Sequence, residues 1–241
     1  MWVRLRGDDL PQRTLRRSEE AGREGLSMTR NLFGDEELLE ADLGPGAFLL
    51  RGFALRWEGE VLGAVRDVAE RAPFRNMVTT GGYRMSVAMT NCGELGWVTD
   101  RRGYRYDARD PKSGLEWPGM PGVLLERASK AASEAGFEGF VPDACLINRY
   151  EPGAKMSLHQ DKDEKDFGAP IVSVSLGISA VFLFGGMSRG DKALRVKLEH
   201  GDVVVWGGEA RLRFHGVMGL KEGRHPSFGS CRINLTFRKA G

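Results

Sequence analysis

The stretch Arg232-Ile-Asn-Leu-Thr-Phe-Arg238 alternates polar and apolar side chains without a break. A period of two marks a β-strand, with Arg232, Asn234, Thr236 and Arg238 on one face and Ile233, Leu235 and Phe237 on the other. The polar face has two readings. It is either the solvated side of a half-exposed strand, or the lining of a polar barrel interior in which two arginines await an anion. Arginine suits a dicarboxylate, because its planar fork meets a carboxylate with two parallel hydrogen bonds. A second alternation, Leu146, Asn148 and Tyr150, would add an amide and a phenol to the same pocket.

Outward from this strand, short β-rich runs follow one another from Cys145 onward. They are Ile171–Leu176, Ala180–Phe184, Leu194–Leu198, Val203–Trp206, Leu212–Val217 and Cys231–Phe237, separated by Gly-rich turns. Many short strands with turns between them predict an antiparallel barrel or jelly roll. Two helices precede them. Val61, Leu62, Val65, Val68, Ala69 and Ala72 keep helical spacing until Pro73. A second helix starts near Pro121, carries Val123, Leu124, Leu125, Ala128, Ala131 and Ala132, and stops at Gly136. The fold class is therefore mainly β with buttressing helices.

The chain has 241 residues, enough for one well-buried domain. Hydrophobic content of 41% and charged content of 28% fit a soluble globular protein. No apolar run is long enough to span a bilayer, and the charged N-terminus lacks the apolar centre of a signal peptide. Cys92, Cys145 and Cys231 are widely spaced and odd in number, which fits a reducing cytoplasm rather than a disulfide framework or zinc ribbon. A net charge of +2 predicts nothing about nucleic acid, so any phosphate contact must come from a local patch. Residues 1–27, rich in Arg and Glu, read as a disordered or non-native extension, with a basic arm as the alternative. Residues 28–241 form the single domain, expected to be a monomer.

Four histidines are present: His159, His200, His215 and His225. His159-Gln160-Asp161 is a His-x-Asp pair. On an extended segment its imidazole and carboxylate point the same way, and a distant third ligand would complete a two-His, one-carboxylate face with open positions for Fe(II) chemistry. Alone the pair is weak, since Gln160 to Asp166 is strongly polar and a surface loop explains it better.

Longer stretches make the signal specific. Met85-Ser-Val-Ala-Met-Thr-Asn-Cys-Gly93, Asp143-Ala-Cys-Leu-Ile-Asn-Arg-Tyr150, His159-Gln-Asp-Lys-Asp-Glu164, Gly201-Asp-Val-Val-Val-Trp-Gly-Gly208 and the Arg232–Arg238 strand occur in order. From Asn31 to Ala240 the chain resembles the AlkB family of nucleic-acid dealkylating dioxygenases. The resemblance implies a double-stranded β-helix (jelly roll), with Fe(II) as cofactor and 2-oxoglutarate and O2 as cosubstrates. It assigns the iron to His159, Asp161 and His215, and 2-oxoglutarate to Asn148, Tyr150, Arg232, Asn234 and Arg238, one arginine gripping the distal carboxylate. It brings a damaged base to Met89, Trp97, Tyr104, Ser157, Asp163 and Arg189. It places Thr79 and Tyr83 in a nucleotide-recognition lid around residues 75–110. The implied activity is oxidative removal of N-alkyl groups from bases of the 1-methyladenine and 3-methylcytosine type. Single-stranded DNA is the preferred substrate, with duplex DNA and RNA as further candidates; the products are formaldehyde, succinate and CO2.

Residue chemistry is consistent with these roles. A base methylated at such a ring nitrogen is a cation near neutral pH, and a cation favours an aromatic face and a carboxylate, here Trp97 and Asp163. Gly81-Gly82, Gly93 and Gly96 suggest a mobile cover around the aromatics. Arg101-Arg-Gly-Tyr-Arg-Tyr106 interleaves cations and rings as a strand-binding surface does, although a solvated charge run explains it equally well. Rival readings are a hydroxylase of proteins or small molecules on the same scaffold, and a metal-free binding module. Arg211 and Arg213 would share the face of His215 on a regular strand, two cations unexpected beside a metal site; they either point toward phosphate or cosubstrate or are turned outward by a bulge.

Overall fold

All seven residues of the alternating strand, β13 (Arg232–Arg238), are buried, none more than 6% exposed. This excludes the solvated-face reading of the strand. The computed structural model describes residues 42–241, so the expectation for residues 1–27 lies outside it.

In chain order the remaining elements are β1 (Ala47–Leu50), α1 (Glu58–Arg71), β2 (Arg75–Val78), β3 (Arg84–Gly93), β4 (Gly96–Asp100), β5 (Gly103–Asp107) and α2 (Gly122–Glu134). They continue with β6 (Ala144–Tyr150), β7 (Met156–His159), β8 (Ile171–Gly177), β9 (Ala180–Phe184), β10 (Leu194–Leu198), β11 (Val203–Trp206) and β12 (His215–Val217). A seven-stranded sheet runs β1-β11-β8-β13-β6-β3-β2, a four-stranded sheet runs β10-β9-β12-β7, and β4-β5 is a separate hairpin. Every strand pair is antiparallel.

The two faces of β13 belong to different cores. Ile233, Leu235 and Phe237 join Ile147, Val174 and Val205 beneath α1 and α2. The opposite face of the large sheet contributes Leu146, Met89, Val204 and Trp206 to a second core, shared with Phe182, Phe184 and Val217 of the small sheet. The polar residues of β13 therefore enter the space between the sheets, the arrangement of a jelly roll.

The helices buttress as their spacing predicts. Val61, Ala64, Val65 and Val68 bury one face of α1, with Glu58 and Glu60 in its first turn and Arg71 in its last, where the helix dipole favours each sign. α2 ends in a Schellman turn. Gly136 takes φ +83°, and the N–H groups of Gly136 and Phe137 donate to the Ser133 and Ala132 carbonyls.

Three expectations are corrected. Strands also precede the helix pair and lie between its members. The ten-residue β3 escapes a period-two reading because its C-terminal half is buried on both faces. The run from Leu212 enters the sheet only at His215, because a 3-10 turn at Gly208–Ala210 continues through Arg211 and Arg213, whose N–H groups donate to Gly208 and Ala210. Arg211 and Arg213 thus share no strand face with His215. Finally, Gly93 and Gly96 serve close packing rather than mobility. A Cβ at Gly96 would overlap the Trp117 ring, and one at Gly93 (φ +116°) would overlap the Asp143 carbonyl. Only Gly81-Gly82 sits in an exposed turn.

Candidate metal centre and cosubstrate pocket

His159 closes β7, and His215 opens β12 directly opposite it in the ladder. Their ring centroids are 4.4 Å apart. Asp161 lies two residues past the end of β7, in a turn held by the Gln160 side-chain amide donating to the Leu212 carbonyl at 2.6 Å. The Asp161 carboxylate is 3.6 Å from His159 Nε2 and 3.7 Å from His215 Nε2. Three ligand atoms, one from each residue, fall within 4.8 Å of one another. The convergence predicted from His-x-Asp is present, produced by a strand end and a turn rather than by a continuous strand.

Protonation favours a metal. His159 Nδ1 faces the Ser157 carbonyl at 2.9 Å, and His215 Nδ1 faces the Arg213 carbonyl at 3.1 Å. A carbonyl only accepts, so each Nδ1 carries the proton and each Nε2 keeps a lone pair, the tautomer of a metal-ligating histidine. Burial, with His159 adding to it, pushes His215 down to about 3, so the ring is neutral at pH 7. Burial alone would raise the Asp161 carboxyl, but Arg238, His215 and His159 outweigh it and hold the group well below the usual carboxylate range.

A second cluster, Glu58, His200 and His225, is of similar size. Its protonation is the reverse. His200 Nδ1 accepts the Gly177 N–H at 3.0 Å and His225 Nδ1 accepts the Ser227 N–H at 3.3 Å. Neutral rings there carry their protons on Nε2, so they offer a metal no lone pair at that atom. This cluster is a carboxylate beside two imidazole donors.

Beside the His159 and His215 rings is a cavity with about 440 Å³ of empty space, part of it open to solvent. Asn148, Tyr150, Arg232, Asn234 and Arg238 all line it, as the sequence predicts. The two arginines differ. Arg238 donates to Asp161 Oδ2 at 2.6 and 2.8 Å and sits 3.3 Å from Glu164. Arg232, 1% exposed, donates to Ser175 Oγ at 2.8 Å and lies 5.0 Å over the Tyr150 ring. Its Nε and Nη1 have no hydrogen-bond partner among the described residues. Burial lowers its hold on its proton, and the Tyr150 phenol opposes that. A buried cation with two idle donors is costly unless an anion meets it. The pocket therefore fits a carboxylate-bearing cosubstrate, with Arg232 the cation left to meet it.

Ser173 and Ser175 were missed by the sequence reading. Ser173 Oγ accepts from Asn234 Nδ2 at 2.8 Å and so braces the pocket wall, as Ser175 does for Arg232. Two hydroxyls at alternate positions of the otherwise apolar Ile171–Leu176 were the available signal. Glu164 was also missed: it is 6% exposed, and its Oε1 accepts the Tyr106 phenol at 2.7 Å.

The base-side residues divide into two groups. Trp97 Nε1 donates to Asp163 Oδ2 at 3.0 Å, and Trp97 stacks on Tyr104 at 5.7 Å. These three come together beside the metal centre, since Asp163 is two residues from Asp161. Tyr104 is 48% and Tyr83 79% exposed. Thr79 Oγ1 accepts the Tyr83 N–H at 3.2 Å and shapes the β2–β3 turn. Ser157 is exposed on β7, and Arg189, in the β9–β10 loop, lies over Phe214 at 5.3 Å. Met89 is fully buried in the core, opposite Asn148 in the ladder, and presents no surface to a base.

The chain matches the 2OG-Fe(II) oxygenase superfamily over residues 46–238. It is 57% identical over 211 residues to the alpha-ketoglutarate-dependent dioxygenase AlkB of Escherichia coli K12, covering 88% of this chain and 98% of that protein. It is 35% identical over 171 residues to the DNA N(6)-methyladenine demethylase ALKBH1C of Arabidopsis thaliana, covering 60% of this chain and 38% of that one. The solved structure of OsALKBH1 superposes with a TM-score of 0.72 at 31% identity, covering 81% of this chain and 97% of that chain. With a metal-ready His-Asp-His cluster beside an arginine awaiting a carboxylate, the chain belongs to the AlkB family of Fe(II)- and 2-oxoglutarate-dependent dioxygenases.

Proposed function

We propose that this dioxygenase repairs nucleic acid by removing alkyl groups from ring nitrogens of bases, acting on single-stranded DNA in preference to duplex and on RNA as a further substrate. The observation that carries the reading is the Trp97–Asp163 hydrogen bond, which joins an aromatic face to a carboxylate two residues from Asp161. A cationic 1-methyladenine or 3-methylcytosine base stacks on the ring, and the carboxylate balances its charge and accepts from its exocyclic amine.

Fe(II) with 2-oxoglutarate and O2 supplies the oxidising power when bound, yielding succinate, CO2 and, from an N-methyl group, formaldehyde. The residues of the chain orient and exclude. His159, Asp161 and His215 would hold the metal through two Nε2 lone pairs and a carboxylate oxygen. Arg232 grips the far carboxylate of the cosubstrate, with Tyr150 stacked beneath it, and Asn148 and Asn234 flank it. Arg238 keeps the Asp161 carboxylate ionised and fixed. The β2–β3 turn with Thr79 and Tyr83 and the β4–β5 hairpin with Trp97 and Tyr104 form the lid over residues 75–110. Tyr104 and Arg189 steady the strand beyond the base.

A ring nitrogen that pairs within a duplex is out of reach, so the base must be extruded or met unpaired. A lesion that cannot pair is the cheaper one to extract, and this favours single strands. Three cysteines without disulfide partners fit a reducing, cytoplasmic setting. The protein acts as a monomer.

The test is a panel of single- and double-stranded DNA and RNA carrying methylated bases, with succinate release and base restoration measured together. Restoration should be fastest for cationic lesions in single-stranded DNA. Succinate release on protein or metabolite substrates, without base restoration, would identify a different hydroxylase.

A further inference from the structure

Arg211 has no role in the functional reading above, yet its side chain is 3% exposed and touches four places on one loop. Its Nε donates to the Ala169 carbonyl at 3.1 Å and its Nη1 to the Asp161 carbonyl at 2.8 Å. Its Nη2 lies 3.2 Å from Glu164 Oε2, an ion-pair contact without an aligned hydrogen bond. The guanidinium also lies over the Phe167 ring at 5.4 Å.

The loop between β7 and β8, residues 160–170, has no helix or strand to hold it. It nevertheless carries Asp161 and Asp163. From Asp161 to Ala169, one side chain bridges both ends of the loop and its middle. A planar guanidinium with five fixed donors can do this, whereas an ammonium on a flexible stem is a single point charge.

The charges support the same conclusion. Asp161 and Glu164 are two buried carboxylates, facing the two buried guanidinium groups of Arg211 and Arg238. Arg238 reaches the carboxylate of Asp161 and also Glu164, while Arg211 reaches the main chain of Asp161 and the other oxygen of Glu164. The quartet is neutral, so it can be buried intact, and removing either arginine leaves a carboxylate unbalanced. Arg213 stands apart. It donates to the Gly185 and Leu43 carbonyls, both at 2.6 Å, and lies over Phe184 at 4.1 Å.

We propose that Arg211 is a positioning residue that sets the Asp161 ligand and the Asp163 carboxylate together, by fixing the loop that bears both. The metal half of this rests on Asp161 as ligand, and the base half on the role given to Asp163.

The experiment measures Co(II) binding to the metal-stripped full chain by titration of its d–d absorption, for wild type and for Arg211→Lys, Arg211→Met, Asp161→Ala and, as a control, Arg127→Lys, whose guanidinium lies over Trp57 of the helix-covered core. Loss of an outer partner to a metal ligand weakens metal binding on the order of 10- to 100-fold. That loss is expected for Arg211→Lys, with an altered absorption band, while Arg127→Lys binds as wild type. In steady-state assays on the iron-loaded enzyme, Arg211→Lys should raise KM for methylated oligonucleotide and leave KM for 2-oxoglutarate near wild type, since Arg232 is untouched. Wild-type Co(II) affinity in Arg211→Lys overturns the proposal. So does an equal loss in Arg127→Lys, which would mark general loosening. If Arg211→Met fails to fold, Arg211→Lys, which keeps the charge, decides alone. Asp161→Ala separates the two levels. Should it bind Co(II) as wild type does, the ligand assignment fails. A normal KM for oligonucleotide beside weakened Co(II) binding refutes only the base half.

Discussion

His159 and His215 are register partners across two antiparallel strands, and each gives its Nδ1 proton to the carbonyl two residues before it. The ladder sets the distance between the rings and the backbone sets their tautomers. Only Asp161 then has to be brought in, by a turn.

Asp161→Ala should lower Fe(II) affinity by at least the order of 100-fold and abolish 2-oxoglutarate turnover, since it removes a ligand rather than a ligand's support. His200→Ala should leave the iron content unchanged, because the His200 and His225 rings beside Glu58 carry their protons on the wrong nitrogen. Iron stoichiometry of the two purified variants checks both. Iron loss in His200→Ala would falsify the tautomer argument.

Replacing Arg232 should separate stability from function. A charge-assisted hydrogen bond contributes about 1.5–3 kcal/mol, so Arg232→Met should raise KM for 2-oxoglutarate about 10- to 100-fold. The same substitution removes a buried cation with two idle donors. Thermal melting of the protein without cosubstrate should therefore show Arg232→Met equal to or more stable than wild type. A large destabilisation in that measurement would mean that the guanidinium is already satisfied.

Asp163→Asn keeps an oxygen to accept from Trp97 Nε1 and removes the charge. Asp163 is exposed, and an exposed ion pair is worth about 0.2–1 kcal/mol. The expected loss in kcat/KM on 1-methyladenine is therefore no more than about fivefold, with little change on a neutral lesion such as 3-methylthymine and none in iron binding. Equal losses on both lesions would remove charge recognition from Asp163.

His215 gives the metal-free protein a pH dependence of known sign. Its imidazole is held down to about 3 in the fold, against 6.5 in the open chain. Between those values the unfolded chain binds a proton that the folded one refuses, so stability rises with pH across that window and is lost on acidification. Denaturant melts of stripped protein from pH 7 to pH 4 should show the loss, and His215→Asn should flatten it. An unchanged slope in that variant would place the acid-sensitive group elsewhere.

The strand that opened the reading, Arg232 to Arg238, was legible because its polar and apolar halves serve different surroundings. The runs at Ala180, Leu194 and Val203 are legible as strands for a simpler reason: they are short, carry valine with aromatic or leucine neighbours, and are bounded by turns. β3 was not, since burial on both faces erases the alternation. His159 and Asp161 could be paired from spacing, but spacing alone gave no preference among His200, His215 and His225. That choice depends on which strand pairs with β7, and the register that sets His215 opposite His159 is a tertiary fact. Arg211 was unreadable for a related reason. Its neighbours in sequence suggested a strand, whereas a 3-10 turn sends it across to a loop some forty residues earlier in the chain.

β13 sits between β8 and β6 and has no free edge or free face. A single inserted or deleted residue in the approach from Phe228 to Cys231 would exchange its two sides, sending both guanidinium groups into the helix-covered oil and three hydrocarbon side chains into the reaction chamber. Variation in this strand is therefore confined to one-for-one replacement. An engineer seeking a different co-reactant has four alternate positions to redraw, and cannot shift the frame on which they are written.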